Sequence, residues 1–274
     1  MWPRAILFDL DDTLFDHRRA SRLALGAMHA AYAPDLPFDA FAIKHADVLE
    51  AFHARFLAGE LTQDEARVAR MQTLFAAFDR QLDLSTLKRA ACLYREQHQA
   101  NRHLVAGAIE LLDALQEHCR LGIVTNNSTA EQTEKLRVLN IANYFDTVVI
   151  SEEVGVTKPD PAIFSIALER IGATAYETVF IGDNWINDIV GARHAGMTAV
   201  WFDRNETPAS ADIAGHKLPE KPVNAGVYDI RCITSVTSLL PTSTVIAAIK
   251  TVFINRHNRT PGAEQHEQLE TLAS

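Results

Sequence analysis

From Gly107 to Phe202, short apolar runs alternate with stretches of helical spacing, and each run ends in polar residues. A helical stretch carrying Ala108, Leu111, Leu112 and Leu115 leads to Leu121-Gly122-Ile123-Val124, and a helix starting near Ser128 leads to Thr147-Val148-Val149-Ile150. A third helix, from Pro161 to Ile171 with Gly172 as its C-terminal glycine, leads to Thr178-Val179-Phe180-Ile181. A fourth, through Ile189 and Ala192, leads to Thr198-Ala199-Val200-Trp201-Phe202. Ala5-Ile6-Leu7-Phe8 adds a strand-like run near the N-terminus. Runs this short and apolar, separated by helices, predict an α/β fold with a parallel sheet covered on both faces.

The region from Arg18 to Arg102 has a different character. Val68, Met71, Leu74, Phe75 and Phe78 recur at helical spacing, Phe52, Phe56 and Leu57 lie in another such stretch, and Asp83-Leu84-Ser85 reads as a helix entry. Pro34 and Pro37 interrupt one connection. An all-helical insertion of roughly four helices is expected, with Phe75 and Phe78 in its core. The expected organisation is a core of residues 1–16 and 104–240, a helical insertion of residues 17–103, and an extension of residues 241–274. In that last region Ala209 to Asn224 reads as a loop and Val227 to Ile230 as a small strand. Val245, Ile246, Ile249, Val252 and Phe253 would share one helix face, and the polar stretch from Arg256 onward reads as frayed.

Composition narrows the function classes. With 47% hydrophobic and 22% charged residues in 274, the bulk of the chain is neither disordered nor low in complexity. A net charge of -9 argues against a nucleic-acid polymer as partner, since phosphate contact needs a basic face. Cys92, Cys119 and Cys232 lie far apart and form no CxxC pair, which argues against a disulfide framework or a cysteine zinc site; Cys92 and Cys119 read as buried small apolar residues. His98 and His103 lack zinc-binding spacing, and Arg18, Arg19 and Arg22, just past Asp9 to Thr13, read as surface charge or else as contacts to the far end of a ligand. The apolar run at Ala5 is cut short by Asp9, Asp11 and Asp12, and the longest uncharged stretch, Cys232 to Ile249, contains Pro241 with many Ser and Thr residues. Neither suits a signal peptide or a bilayer span, so a soluble cytoplasmic protein without a membrane partner is expected, as monomer or homodimer.

In open parallel sheets, ligands bind beyond the carboxyl ends of the strands. Here the first run is followed by Asp9-Leu10-Asp11-Asp12-Thr13 and the second by Thr125-Asn126-Asn127. The third is followed by Ser151-Glu152-Glu153 and then Lys158-Pro159, and the fourth by Gly182-Asp183 with Asp188 five residues on. Carboxylates gathered at one edge repel: at about 4 Å and an effective dielectric near 20, each pair costs roughly 4 kcal/mol. Such a cluster takes up protons or binds a cation, and hard oxygen donors without His or Cys favour Mg²⁺ beside a substrate phosphate. Lys158 and the Thr125 hydroxyl would then face that phosphate. Asp160-Pro161 reads as N-cap and first helical residue, and Ser128 with Glu131 as a capping box that opens a helix just after Asn126.

These ordered motifs, Asp9-Leu10-Asp11-Asp12-Thr13, then Thr125, then Lys158-Pro159, then Gly182-Asp183 with Asp188, resemble those of the haloacid dehalogenase-like hydrolase superfamily over about Ala5 to Leu240. The resemblance implies a Rossmann-like, doubly wound parallel sheet with a small helical cap inserted after the first motif, hinged near Asp16 to Arg18 and Leu104 to Gly107. It further implies Mg²⁺-dependent hydrolysis of a small phosphomonoester through an aspartyl-phosphate. In that scheme Asp9 is the nucleophile and Asp11 the general acid and then base. Thr125, Asn126 and Lys158 hold the phosphoryl group. Asp9, Asp183, Asp188 and the backbone carbonyl of Asp11 hold Mg²⁺. The stretch Ile150-Ser151-Glu152-Glu153-Val154-Gly155 is similar to a branch acting on pyrimidine nucleotides, which brings nucleoside 5'-monophosphates in as substrates. A phosphomutase would use the same core. A metal-independent 2-haloacid dehalogenase would have little use for Asp11, Asp183 or Asp188, and a non-catalytic interaction protein would need none of the set.

Overall fold

A computed structural model describes residues 1–204, 212–213, 216–217, 233–236, 239 and 241–257. The strands are β1 (Ala5–Phe8), β2 (Arg120–Thr125), β3 (Thr147–Ile150), β4 (Thr178–Gly182), β5 (Thr198–Phe202), β6 (Asp212–Ile213), β7 (His216–Lys217) and β8 (Ile233–Val236). Six of them form one parallel sheet in the order β3-β2-β1-β4-β5-β8, while β6 and β7 pair antiparallel with each other. The chain moves outward from β1 through β2 to β3, then returns to the other side of β1 for β4. The expected doubly wound parallel sheet is therefore present, with its switch point between β1 and β4.

The helices are α1 (His17–Tyr32), α2 (Phe38–Leu57), α3 (Gln63–Ala76), α4 (Leu84–Ala100), α5 (Ala108–Gln116), α6 (Thr129–Val138), α7 (Ser151–Val154), α8 (Pro161–Ile171), α9 (Gly191–His194) and α10 (Thr242–His257). By internal contacts the chain divides into two units: one of Met1–Leu14, Val105–Thr125 and Ile141–Ser274, the other of Phe15–Leu104 and Asn126–Asn140.

In the sheet unit, strand residues Ala5, Leu7, Val124, Val149 and Phe180 pack with Ile163, Phe164, Ala167 and Ile171 of α8, all buried. Asp160 caps α8, its Oδ1 accepting from the Ala162 N–H at 2.9 Å with Pro161 at the first helical position, and Gly172 ends it at φ +68°. Four of the five apolar residues expected on one face of α10 are buried (Val245, Ile249, Val252, Phe253), and the helix packs on α5, β5 and β8. The loop expected at Ala209 to Asn224 lies outside the described residues, apart from 212–213 and 216–217, and the strand at Val227 to Ile230 lies outside them altogether. So does the polar stretch beyond His257. No helix among the described residues is long and apolar enough to cross a membrane.

The helical unit is built on Phe41, Met71, Leu74, Phe75, Leu87 and Tyr94, with Val68 and Phe78 packed against them. Asp83 caps α4, accepting from the Thr86 N–H at 2.9 Å. Two local expectations fail here. Cys92 is exposed, because α4 turns Leu87, Ala90, Ala91 and Tyr94 inward and leaves the thiol on the solvent side, donating to Glu96. The capping box at Ser128 is half formed: Ser128 Oγ accepts from the Glu131 N–H at 3.4 Å, but the Glu131 carboxylate is drawn away. It accepts from Arg102 at 2.8 Å and from Arg67 at 3.5 Å, and Arg102 also pairs with Glu134 at 3.1 Å. The Arg102 side chain is 2% exposed, so its paired charge outweighs a cap at a helix end.

Candidate active site

Strand register sets the position of the site. Phe8 is level with Ile123 on β2 and with Ile181 on β4, so Asp9 and Gly182 leave the sheet side by side at its carboxyl edge. The Asp9 N–H still bonds to the Ile181 carbonyl at 2.9 Å, which ties the start of the loop to the neighbouring strand. Thr125 is the last residue of β2, opposite Ile150, and is buried. Lys158 comes from the segment between α7 and α8, just before the capped start of α8.

Lys158 reaches across this edge. Its Nζ lies 2.7 Å from Asp9 Oδ1 and 2.6 Å from Asp188 Oδ1, and all three residues are buried. The second oxygen of each carboxylate is also engaged. Asp9 Oδ2 accepts from the Thr13 hydroxyl at 3.3 Å, and Asp188 Oδ2 from the Asn184 N–H at 2.9 Å. Asp183 is held through its backbone, its carbonyl accepting from Trp201 Nε1 at 2.9 Å. One ligand oxygen each from Asp9, Asp183 and Asp188 lies within 4.8 Å of the others, the one such group of metal-capable side chains among the described residues. The donors are all carboxylate oxygens, from the loop after β1 and the stretch after β4, a set that fits a hard divalent cation.

One ammonium shared by two buried carboxylates leaves a deficit of positive charge. Burial pushes the Asp9 carboxyl up, the nearby Asp188 and Asp11 push it further, and Lys158 opposes them; the result is about 7. Burial alone would lower Lys158, but Asp188 and Asp9 outweigh it and hold the amine above its ordinary value. A cation among the three oxygens would keep Asp9 ionised at neutral pH.

A profile of the haloacid dehalogenase-like hydrolases matches residues 6–202. The chain belongs to that family. The HAD-hydrolase YfnB of Bacillus subtilis is 30% identical over 211 residues, 77% of this chain and 88% of YfnB. The structure of YfnB bound to magnesium superposes with a TM-score of 0.71 at 24% identity, covering 91% of this chain and all of that one. A ribulose-1,5-bisphosphate 5-phosphatase of Halopiger xanaduensis is 30% identical over 244 residues, 85% of this chain and 99% of its own. A 2-haloacid dehalogenase of Pseudomonas syringae superposes with a TM-score of 0.55 at 26% identity, covering 90% and 99%. Other relatives are phosphatases named for glyceraldehyde 3-phosphate, phosphoserine and pyrimidine nucleotides. The enzyme class expected from the sequence, a hydrolase of the phosphatase kind, has the support of these relatives.

As a member of this family, the chain brings Asp9, Lys158, Asp183 and Asp188 together. Asp11 lies in the loop after β1, partly exposed and close enough to raise the Asp9 carboxyl; its side chain is not one of the three clustered carboxylates. Asn126 directly follows Thr125, is half-buried, and groups by contacts with the helical unit. Asp12 takes a left-handed φ of +63°, tolerable for Asp, and faces Arg204 at 3.6 Å.

Three features support the site in ways that the motifs do not reveal. Thr13 sits four residues after Asp9, and only the folded loop shows that its hydroxyl meets the carboxylate. The segment Trp185–Val190, expected as ordinary helix, is a wide helical turn in which Ile189 N–H reaches the Asn184 carbonyl as Asp188 N–H does. Gly182 leaves room for Asp188: a Cβ there would lie 2.4 Å from Asp188 Oδ2 and 2.5 Å from its Cγ. Backbone of the wide turn follows directly, so Asp188 cannot simply swing aside. Gly182→Ala is therefore expected to weaken any divalent-cation binding at the cluster by about 10- to 100-fold and to cost about 1–3 kcal/mol of stability. Metal titration and urea unfolding of the purified variant check both; wild-type metal affinity would show that Asp188 needs no such space.

Proposed function

We propose that the chain is a Mg²⁺-dependent phosphomonoester hydrolase that works through a phosphorylated Asp9. One observation carries this reading: three acidic side chains from two distant segments converge within 4.8 Å, with the Lys158 ammonium on two of them. An amine beside a clustered set of hard oxygens serves a phosphate and a cation together. The magnesium bound in the YfnB structure supports the choice of metal. Asp9, Asp183 and Asp188 would hold it, with the backbone carbonyl of Asp11. When bound, Mg²⁺ supplies the positive charge that lets an anionic phosphate approach ionised carboxylates.

The remaining chemistry belongs to the side chains. Lys158, Thr125 and Asn126 bind the phosphoryl oxygens and orient phosphorus toward Asp9. A carboxylate oxygen of Asp9 attacks phosphorus and the ester P–O bond breaks; the leaving alkoxide takes a proton from Asp11. Asp11, now ionised, accepts a proton from water as that water attacks the phosphorus of the aspartyl-phosphate. The bond between Asp9 and phosphorus breaks, inorganic phosphate leaves, and both carboxyls return to their starting states. Thr13 holds the second oxygen of Asp9 so that the first is presented in one orientation. A dehalogenase would leave Asp183 and Asp188 without a task. Cys92 and Cys119 are free thiols, which suits a reducing cytoplasm.

The substrate is a small phosphorylated metabolite. Phosphate release is measured on a panel of nucleoside 5'-monophosphates, sugar phosphates and phosphorylated acids, with Mg²⁺ and with chelator. Turnover of at least one ester that chelator removes and Mg²⁺ restores is the expected result. Equal turnover in chelator would overturn the metal role, and isomerisation of a sugar phosphate without free phosphate would make the enzyme a mutase.

A further inference from the structure

We propose that the helical unit carries a binding site of its own for a small anion, a carboxylate or phosphate group, formed by Arg70, His45 and Tyr94. The three residues come from α3, α2 and α4 and pack around one ring. The guanidinium carbon of Arg70 lies 4.9 Å from the centre of the Tyr94 ring, and the His45 ring lies 5.0 Å from it. Each also has a buried polar atom that makes no hydrogen bond of good geometry: Arg70 Nε, His45 Nε2 and the Tyr94 hydroxyl, which has the Ser21 side chain beside it. His45 is 3% exposed and Tyr94 5%.

Buried polar groups are nearly always satisfied, and an unmet donor is costly. Three unmet groups around one ring, on three helices, are what a site looks like when its ligand supplies the missing acceptors. The sign of the ligand follows from the donors. A guanidinium, a phenol and an imidazole can each donate, and the fork of Arg70 matches a carboxylate or phosphate. No carboxylate of the described residues takes that role: Arg67, one turn away, is paired with Asp64 and Glu131, whereas Arg70 has neither ion pair nor hydrogen bond. Arg70 is partly exposed, which gives a ligand a way in. Burial, Arg70 and His17 hold the His45 imidazole down to about 3, so it is neutral at pH 7 and keeps one N–H to offer. A cation would meet Arg70 and be repelled.

This site does not rest on the phosphatase reading, and its first test is binding alone. In the full-length protein with chelator present, the ring signals of the histidines are followed by NMR as sodium phosphate, and separately sodium succinate, is added. The His45 signal is assigned by its loss in His45→Gln. A saturable shift of that signal is expected, with Arg70→Met raising the half-saturating concentration by about 10- to 100-fold. Tyr94→Phe, which removes one oxygen and keeps the ring, should weaken binding as well, and it serves if Arg70→Met fails to fold. No saturable shift with either anion, or the same affinity in wild type, Arg70→Met and Tyr94→Phe, overturns the proposal.

Discussion

Asp9→Asn is expected to abolish turnover, with a loss on the order of 10⁴- to 10⁶-fold, while the protein stays folded. An amide cannot form the acyl phosphate, so no rearrangement of neighbours restores the first step. The fold survives because the substitution is nearly isosteric and leaves Lys158 with Asp188 at 2.6 Å. It also removes a carboxyl that burial raises to about 7. The folded metal-free protein holds that proton more tightly than the unfolded chain, whose carboxyl titrates near 3.8. The group therefore stabilises the fold fully below the unfolded value, and the contribution is lost as pH rises from there through about 7. Asp9→Asn should erase that slope, leaving the metal-free variant less sensitive to pH over this window than wild type. Urea unfolding at several pH values, beside single-turnover phosphate release, checks both halves. An active Asp9→Asn enzyme would remove Asp9 from the chemistry.

Lys158→Met is expected to destabilise the metal-free protein by about 3–5 kcal/mol at pH 7, because it leaves buried carboxylates without their counter-charge. Asp9 and Asp188 are 6% and 1% exposed, so water cannot replace the ammonium. The penalty should shrink as pH falls and Asp9 takes up a proton, and it should shrink again when Mg²⁺ is added. A variant that had merely lost packing would show neither response. Turnover should fall by about 10²- to 10³-fold even with Mg²⁺ present, since the proposed charged contact to the transferring phosphoryl group is gone. Equal stability of wild type and variant in chelator would show that the cluster balances its charge without Lys158.

The sheet and the edge that carries the candidate site are legible for the same reason. Strands such as Thr147–Ile150 and Thr178–Gly182 are short, apolar and flanked by helix signals, and in a parallel sheet the residue after each strand lands on one edge. Strand spacing alone thus places Asp9, Thr125 and Asp183 at that edge. What stayed hidden depends on pairs distant in sequence or on backbone detail. Glu131 looks like a local cap, but its partners Arg102 and Arg67 lie 29 and 64 residues away. Gly182 looks like an ordinary strand-end glycine until the wide turn at Trp185–Val190 brings Asp188 against it. Arg70, His45 and Tyr94 carry no shared spacing, because three helices must pack before they meet. Cys92 went the other way: a residue type that is commonly buried sits outward because its neighbours on α4 fill the inner face.

The nucleophilic role proposed for Asp9 is tested most directly by acid-quenching the enzyme during turnover of its best phosphomonoester and weighing the peptide that contains Asp9. The expected result is one phosphoryl group on Asp9, removed by hydroxylamine, present with Mg²⁺ and absent in Asp9→Asn. Rapid phosphate release with no covalent phosphate on that peptide at any quench time, or with the phosphate on another residue, would contradict it.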